Sequence, residues 1–145
     1  MEPFPHHYPV TATADPDSDV RLSTPGAAEI RSAGPVQFGG PGDLWSPEAL
    51  LCAAVADCFV LSFRAIARAA RYPWNRLDCD VDGTLDRVDG VTRFTGFAVR
   101  VTLAVPAGVD RAKAEKLLVK AKSSCLVTNS LNADSRLETR VVGTD

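Results

Sequence analysis

The chain has 145 residues and a net charge of −2, from 16 Lys+Arg against 18 Asp+Glu, and is 46% hydrophobic but only 7% aromatic. That length fits one domain, residues 1–145, with a substantial core, and the near-neutral balance without blocks of like charge argues against nucleic acid or anionic lipid as a partner. Met1 to Val10 lacks the charged-then-apolar pattern of a signal peptide, so a cytoplasmic location is expected, and in that reducing setting four cysteines are not expected to form a permanent disulfide framework.

In chain order, Tyr8 to Ala14 alternates apolar and polar residues and predicts a first strand. Asp15-Pro16-Asp17-Ser18-Asp19 reads as a turn. Val20-Arg21-Leu22 and Glu29-Ile30-Arg31 read as short strands around Pro25-Gly26. Gly34-Pro35 and Gly39-Gly40-Pro41-Gly42 follow. With neither the Walker lysine nor the dinucleotide spacing, this is a shaped connection rather than a phosphate cradle.

Ser46 to Ala70 predicts one long helix. Ser46 suits the N-cap, Pro47 the first helical position and Glu48 the positive end of the dipole, and no Gly or Pro interrupts it afterwards. Asp57, Arg64 and Arg68 share one narrow stripe and apolar residues cover nearly all the rest, which predicts a helix buried on most sides. Its length allows a membrane span, but Glu48, Asp57, Arg64 and Arg68 argue against one.

Beyond Tyr72-Pro73-Trp74-Asn75, the residues Leu77, Cys79, Val81, Gly83 and Leu85 alternate with acids and Thr84, predicting a strand with a wet acidic face. Asp89-Gly90 signals a hairpin, and Val91 to Val105 returns with Phe97, Val99, Val101, Leu103 and Val105 on one side. Asp110 is placed to cap a second helix with Ala114, Leu117, Leu118 and Ala121 inward and lysines 113, 116, 120 and 122 outward. Leu137, Thr139 and Val141 alternate in a last strand. The order β-β-β, α, β-β, α, β makes an α+β chain with antiparallel sheets.

No Cys-x-x-Cys pair occurs among Cys52, Cys58, Cys79 and Cys125, and the two histidines, His6 and His7, lie near the N-terminus, so no zinc site is expected. Cys52 is six residues before Cys58, on another face and about 9 Å away along the axis, so the two cannot pair within a regular helix. Cys52 and Cys79 read as small core residues. Cys58, beside Asp57, and Cys125, after a Ser-Ser pair able to cap a short helix, are open to two readings: core residues or a redox pair.

Ser46-Pro47-Glu48 at the head of the helix, Leu51, Cys58-Phe59 ten residues past the Glu, and the later Cys125-Leu126-Val127 with Asn129-Ser130-Leu131 together resemble the OsmC/Ohr family, the osmotically inducible protein C and organic hydroperoxide resistance proteins. The resemblance runs from about Tyr8 to Val142. It implies the OsmC-like fold, with a long buried central helix in an intertwined homodimer. It also implies a thiol-dependent peroxidase acting on organic hydroperoxides, with no metal, flavin or haem cofactor.

Carried onto this sequence, Cys58 becomes the peroxidatic cysteine and Cys125 the resolving one. A thiolate attacks the O–O bond, the sulfenic acid condenses with the second thiol, and an external dithiol reduces the disulfide, a lipoyl-type dithiol being one candidate. The family pairs Glu48 with an Arg. The positions it uses read Asp15-Pro16-Asp17 and Gln37-Phe38 here, so that role falls to Arg21, with Arg31 and Arg64 behind it. The apolar neighbours Val55, Phe59 and Leu61, with Phe38 and Trp45 in the loop before the helix, favour bulky organic hydroperoxides. The rival readings are a redox-sensing or binding protein of the same fold without turnover, and a structural dimer with inert thiols.

Overall fold

The computed structural model describes residues 1–144, and the chain divides into two compact units that meet inside the first turn of the long helix, residues 1–50 and 51 onward. The first unit holds a small antiparallel sheet, β1 (Thr11–Thr13), β2 (Val20–Ser23) and β3 (Ile30–Ser32), in the order β1-β2-β3. The first strand is much shorter than the alternation of Tyr8 to Ala14 predicts. Tyr8 and Val10 are exposed, so the pattern has no buried face to serve, and Pro9 lacks an N–H for a ladder.

The glycine-rich connection is shaped by close backbone contact. It contains a single 3-10 turn, Val36–Phe38, which the sequence did not signal. The Gly40 amide donates to the Pro35 carbonyl at 2.9 Å, and a Cβ on Gly40 would lie 1.6 Å from the Gly34 carbonyl oxygen, so only glycine fits.

Helix α1 (Pro47–Ala69) begins as its caps dictate: the Ser46 hydroxyl accepts from the Ala49 amide at 3.1 Å, with Pro47 at the first position and Glu48 in the first turn. It ends at Arg71, whose φ of 50° reverses the chain while the Tyr72 amide donates back to the Ala67 carbonyl at 2.9 Å.

The second unit is built on the sheet β4-β5-β6: β4 (Arg76–Val88), β5 (Val91–Pro106) and β6 (Asp134–Thr144). The β4–β5 hairpin turns at Asp89 (φ 51°) and Gly90 (φ 78°), the paired positive values that a tight two-residue hairpin needs. On β5 the alternate residues Phe97, Val99, Val101, Leu103 and Val105 are all buried. Against them pack Val55, Phe59, Phe63 and Ala67 of α1, together with Ala114, Leu118 and Ala121 of α2 (Arg111–Ser123). The N-cap Asp110 of α2 accepts from the Lys113 amide at 3.1 Å, as its sequence predicts. Gly83 of β4 makes room for α1: a Cβ there would stand 2.7 Å from the Cys52 sulfur and 2.9 Å from the Phe94 ring.

Two expectations are corrected. The second sheet is mixed, not purely antiparallel, because β6 runs parallel to the central strand β5, with Val99 opposite Leu137. The connection from β5 to β6 passes through α2, and a helical crossover returns the chain in the same direction, whereas only hairpins reverse it.

Nor is α1 buried on most sides within this chain. Its buried residues form one stripe at i, i+4, i+8 and i+12, while Ala54, Asp57, Arg64, Ala65 and Arg68 are exposed and Leu61 is 49% exposed. One sheet can cover only one stripe of a helix, so a helix that is apolar nearly all round keeps an uncovered apolar face. That face makes α1 long and apolar enough to cross a membrane by length and composition, although its opposite stripe packs on the sheet.

Candidate active site

Cys58 lies at the midpoint of α1, on the flank between the buried stripe and the exposed face, and is half-buried. Its sulfur is 4.0 Å from the Ser62 hydroxyl, one turn further along the helix. Cys125 is buried and occupies the N-cap of a short helix, α3 (Leu126–Asn129), directly after Ser124 closes α2. Ser124 is thus the C-cap of one helix and not the N-cap of the next, a role the cysteine itself takes. The Asn129 side chain donates to the Ser123 carbonyl at 3.2 Å and ties α3 back to the end of α2.

The fold brings these two thiols near each other, close enough for Cys58 to favour the Cys125 anion. Burial pushes the Cys125 thiol up. The Thr128 hydroxyl, which also donates to the Cys125 carbonyl at 3.3 Å, the Thr128 amide, the Cys58 thiol and the Val127 amide lie near the sulfur, outweigh burial and hold Cys125 below the usual thiol range. None of the amides makes a full capping hydrogen bond to the sulfur, so the stabilisation comes from several converging dipoles and not from one strong donor. Sequence reasoning assigned no role to Thr128 or to Ser62. The signals for them are the three-residue step from a capping residue to the amide it faces and the i, i+4 step on a helix. Both cysteines are free thiols.

The other two cysteines behave as core residues. Burial, then the Asp82 charge, push the Cys52 thiol up against a lowering contact with the Gly83 backbone, and the sulfur packs on Gly83. Cys79 faces the core from β4, and burial, followed by the charges of Asp80 and Cys125, pushes its thiol from 9.0 up to about 11. Between those values an unfolded chain gives up the Cys79 proton while the folded one keeps it. The folded state then binds more protons, and stability is lost as pH rises from about 9 through about 11. Urea unfolding across that range should show a steeper alkaline loss for the natural chain than for Cys79→Ala; identical slopes would contradict the assignment.

Glu48 sits in the first turn of α1, ten residues of continuous helix before Cys58. Its Oε2 atom is buried and has no hydrogen-bond partner among the described residues. Arg21 lies exposed in β2, paired in register with Thr13 and Arg31, and no carboxylate among the described residues is within ion-pair distance of it. Arg31 is already committed to Asp19, and Arg64 is exposed on α1. Val55 and Phe59 point into the core and do not line an approach to Cys58, because they belong to the stripe that α1 presents to the sheet. Phe38 and Trp45 are exposed within the first unit.

A mixed sheet carrying two helices, with one thiol on the long helix facing a second at the head of a short one, defines an α+β dithiol protein. The model of the family described as OsmC-like protein matches residues 40–140, and the chain belongs to that family. It is 32% identical to the peroxiredoxin OsmC of Escherichia coli over 93 residues, 64% of this chain, and so spans 64% of that relative's length. It is 29% identical to an organic hydroperoxide resistance protein of Xanthomonas axonopodis pv. citri over 128 residues, which are 85% of this chain and 86% of that one. An OsmC-like protein of unknown function from Vibrio cholerae superposes with a TM-score of 0.82 at 19% identity, over 94% of this chain and 99% of that one, which shows the shared fold.

Proposed function

We propose that the protein is a thiol-dependent peroxidase that reduces organic hydroperoxides through Cys58 and Cys125. The observation that carries this reading is the placing of the Cys58 thiol near the Cys125 sulfur by two elements far apart in the chain. The relatives named for peroxiredoxin activity and organic hydroperoxide resistance support it.

The Cys58 thiolate attacks the distal oxygen of the hydroperoxide, the O–O bond breaks, and an alcohol leaves with the proton it needs. The Cys58 sulfenic acid is then attacked by the Cys125 thiolate, which expels water and closes a disulfide. Stabilisation of the Cys125 anion by Thr128 and Val127 favours that second step at neutral pH. An external dithiol, with a lipoyl-type one as a candidate, takes the disulfide back to two thiols. Cys58 stands mid-helix, where the dipole gives no help, so its activation calls for a cation. Glu48 stands about 15 Å along the helix from Cys58 of its own chain, so we place the guanidinium, with Arg21 as its source in this sequence, as a bridge between Cys58 and the Glu48 carboxylate of a second copy.

We further propose a homodimer in which a second copy covers the exposed apolar face of α1 around Leu61. The support for this is the size of that uncovered face on a helix whose other stripe is fully buried.

Intact mass after one equivalent of cumyl hydroperoxide tests the chemistry. The natural chain should lose the mass of two hydrogens, and Cys125→Ser should gain one oxygen. An unchanged mass in both would refute the proposal. With a dithiol present, consumption of many equivalents per chain separates an enzyme from a sensor, which would be oxidised once and stop.

A further inference from the structure

Helix α2 carries a concentration of positive charge that the fold explains only in part: Lys113 donates to the Ala70 carbonyl at 3.4 Å and stands over the Tyr72 ring, and Arg111 lies beside Gly143 of β6, whereas Lys116 and Lys120 are exposed with no such partner among the described residues. Arg111, Lys113, Lys116, Lys120 and Lys122 lie within its thirteen residues, in a chain whose net charge is −2. Its sole acid, Glu115, hydrogen-bonds to Thr139 of β6. Among the described residues none of the five cations has a carboxylate within ion-pair distance.

Helix stability accounts for only part of this. Lys120 and Lys122 in the last turn complement the helix dipole. Arg111 and Lys113 oppose it, since they sit in a first turn that contains no acid. Lys116 and Lys120 are a like-charged i, i+4 pair, and Lys113 and Lys116 a like-charged i, i+3 pair, both of which disfavour the helix. By helical spacing, Lys113, Lys116 and Lys120 fall within about 60° of arc. Beside this stripe stands Val119, 59% exposed, and just past the end of α2 stands Leu126, 75% exposed and adjacent to Cys125 in the chain. The patch therefore has exposed apolar anchors, a cationic stripe, and one end at the thiol pair.

We infer that this face docks an acidic protein segment that carries the dithiol reducing the Cys58–Cys125 disulfide. This rests on the peroxidase reading above and adds to it the character of the reductant. Opposite charge steers the encounter, Val119 and Leu126 give the bound segment apolar contact, and the end of α2 delivers it beside Cys125. A thiolate of the incoming dithiol attacks the disulfide, forms a mixed disulfide and releases one protein thiolate. Its second thiol then displaces the other, so the segment leaves as a disulfide and both cysteines regain their thiols, two electrons and two protons having passed to the protein. Nucleic acid is the other polyanion such a stripe could attract. The exposed Val119 and Leu126 favour a protein.

The test uses the full chain, first oxidised with one equivalent of cumyl hydroperoxide and checked for the disulfide by intact mass. Failure to form it would overturn the peroxidase reading itself. Reduction is then timed with dithiothreitol and with two Cys-Gly-Pro-Cys peptides, one tailed with glutamates and one with lysines. The glutamate peptide should react about tenfold faster than the lysine peptide at low ionic strength, and salt should erase the difference. In K116E/K120E the rate ratio of glutamate peptide to dithiothreitol should fall to that of the lysine peptide in the natural chain, with the neutral K116Q/K120Q between them. Equal rates for the two peptides in the natural chain, or a preference that survives charge reversal, would overturn the docking face while leaving the peroxidase reading intact. So would tight binding of a labelled oligonucleotide at physiological salt together with no peptide preference.

Discussion

Cys58→Ser should abolish peroxide reduction, lowering kcat/KM for cumyl hydroperoxide by roughly a thousandfold or more, because a hydroxyl at that position offers no nucleophile at neutral pH. Cys125→Ser should behave differently. Its Cys58 still opens the O–O bond once, but no thiol stands against it to trap the sulfenic acid, so turnover stops after a single equivalent and excess peroxide drives Cys58 to the sulfinic state. The comparison matters because both variants look inactive in a steady-state assay. Single-turnover peroxide consumption, followed by intact mass, separates them. A Cys125→Ser chain that keeps cycling with dithiothreitol at the natural rate would remove Cys125 from the mechanism. Thr128→Val should leave that first turnover in place and slow closure of the disulfide, since it deletes the hydroxyl that favours the Cys125 anion while leaving the amides.

Phe63→Ala should cost about 3–5 kcal/mol of stability, as large aromatic truncations in a closed core do. The ring is fully buried at the centre of the α1 stripe and meets the Trp74 ring edge-to-face, with centroids 5.5 Å apart. Against a total stability of about 5–15 kcal/mol for a domain of ordinary size, that loss leaves the fold marginal, and urea or thermal denaturation reads it directly. Leu61, two residues earlier and 49% exposed, provides the contrast. In a monomer Leu61→Asp should change stability by less than about 1 kcal/mol. If a second copy covers that face, the same substitution should split the dimer in sedimentation while leaving each chain folded. A natural chain that sediments as a monomer would end the dimer proposal, whatever the stability of the variants.

The same helix shows where local signals stop being informative. Its start is written in Ser46-Pro47-Glu48, because a cap and a fixed φ act within one turn and need no partner elsewhere. The hairpin at Asp89-Gly90 and the α2 cap at Asp110 are legible for the same reason. An apolar surface nearly all round α1, however, carries no mark of which stripe meets the sheet, and the expectation of general burial fails on that ambiguity. Alternation from Tyr8 to Ala14 misleads in the same way, since periodicity states which residues share a face but not whether anything covers it.

By itself, then, the sequence determined the helices, the long hairpin, the family and the identity of the two thiols worth watching, all carried by short-range backbone preferences or by motif spacing. Tertiary structure alone decided that β6 runs parallel to β5, that Arg31 is spent on Asp19 and that Glu48 keeps a buried oxygen without a partner among the described residues. It also decided that Cys58 and Cys125 come near each other. Each of those depends on elements distant in the chain packing at one particular register, and no local preference of either partner encodes the meeting.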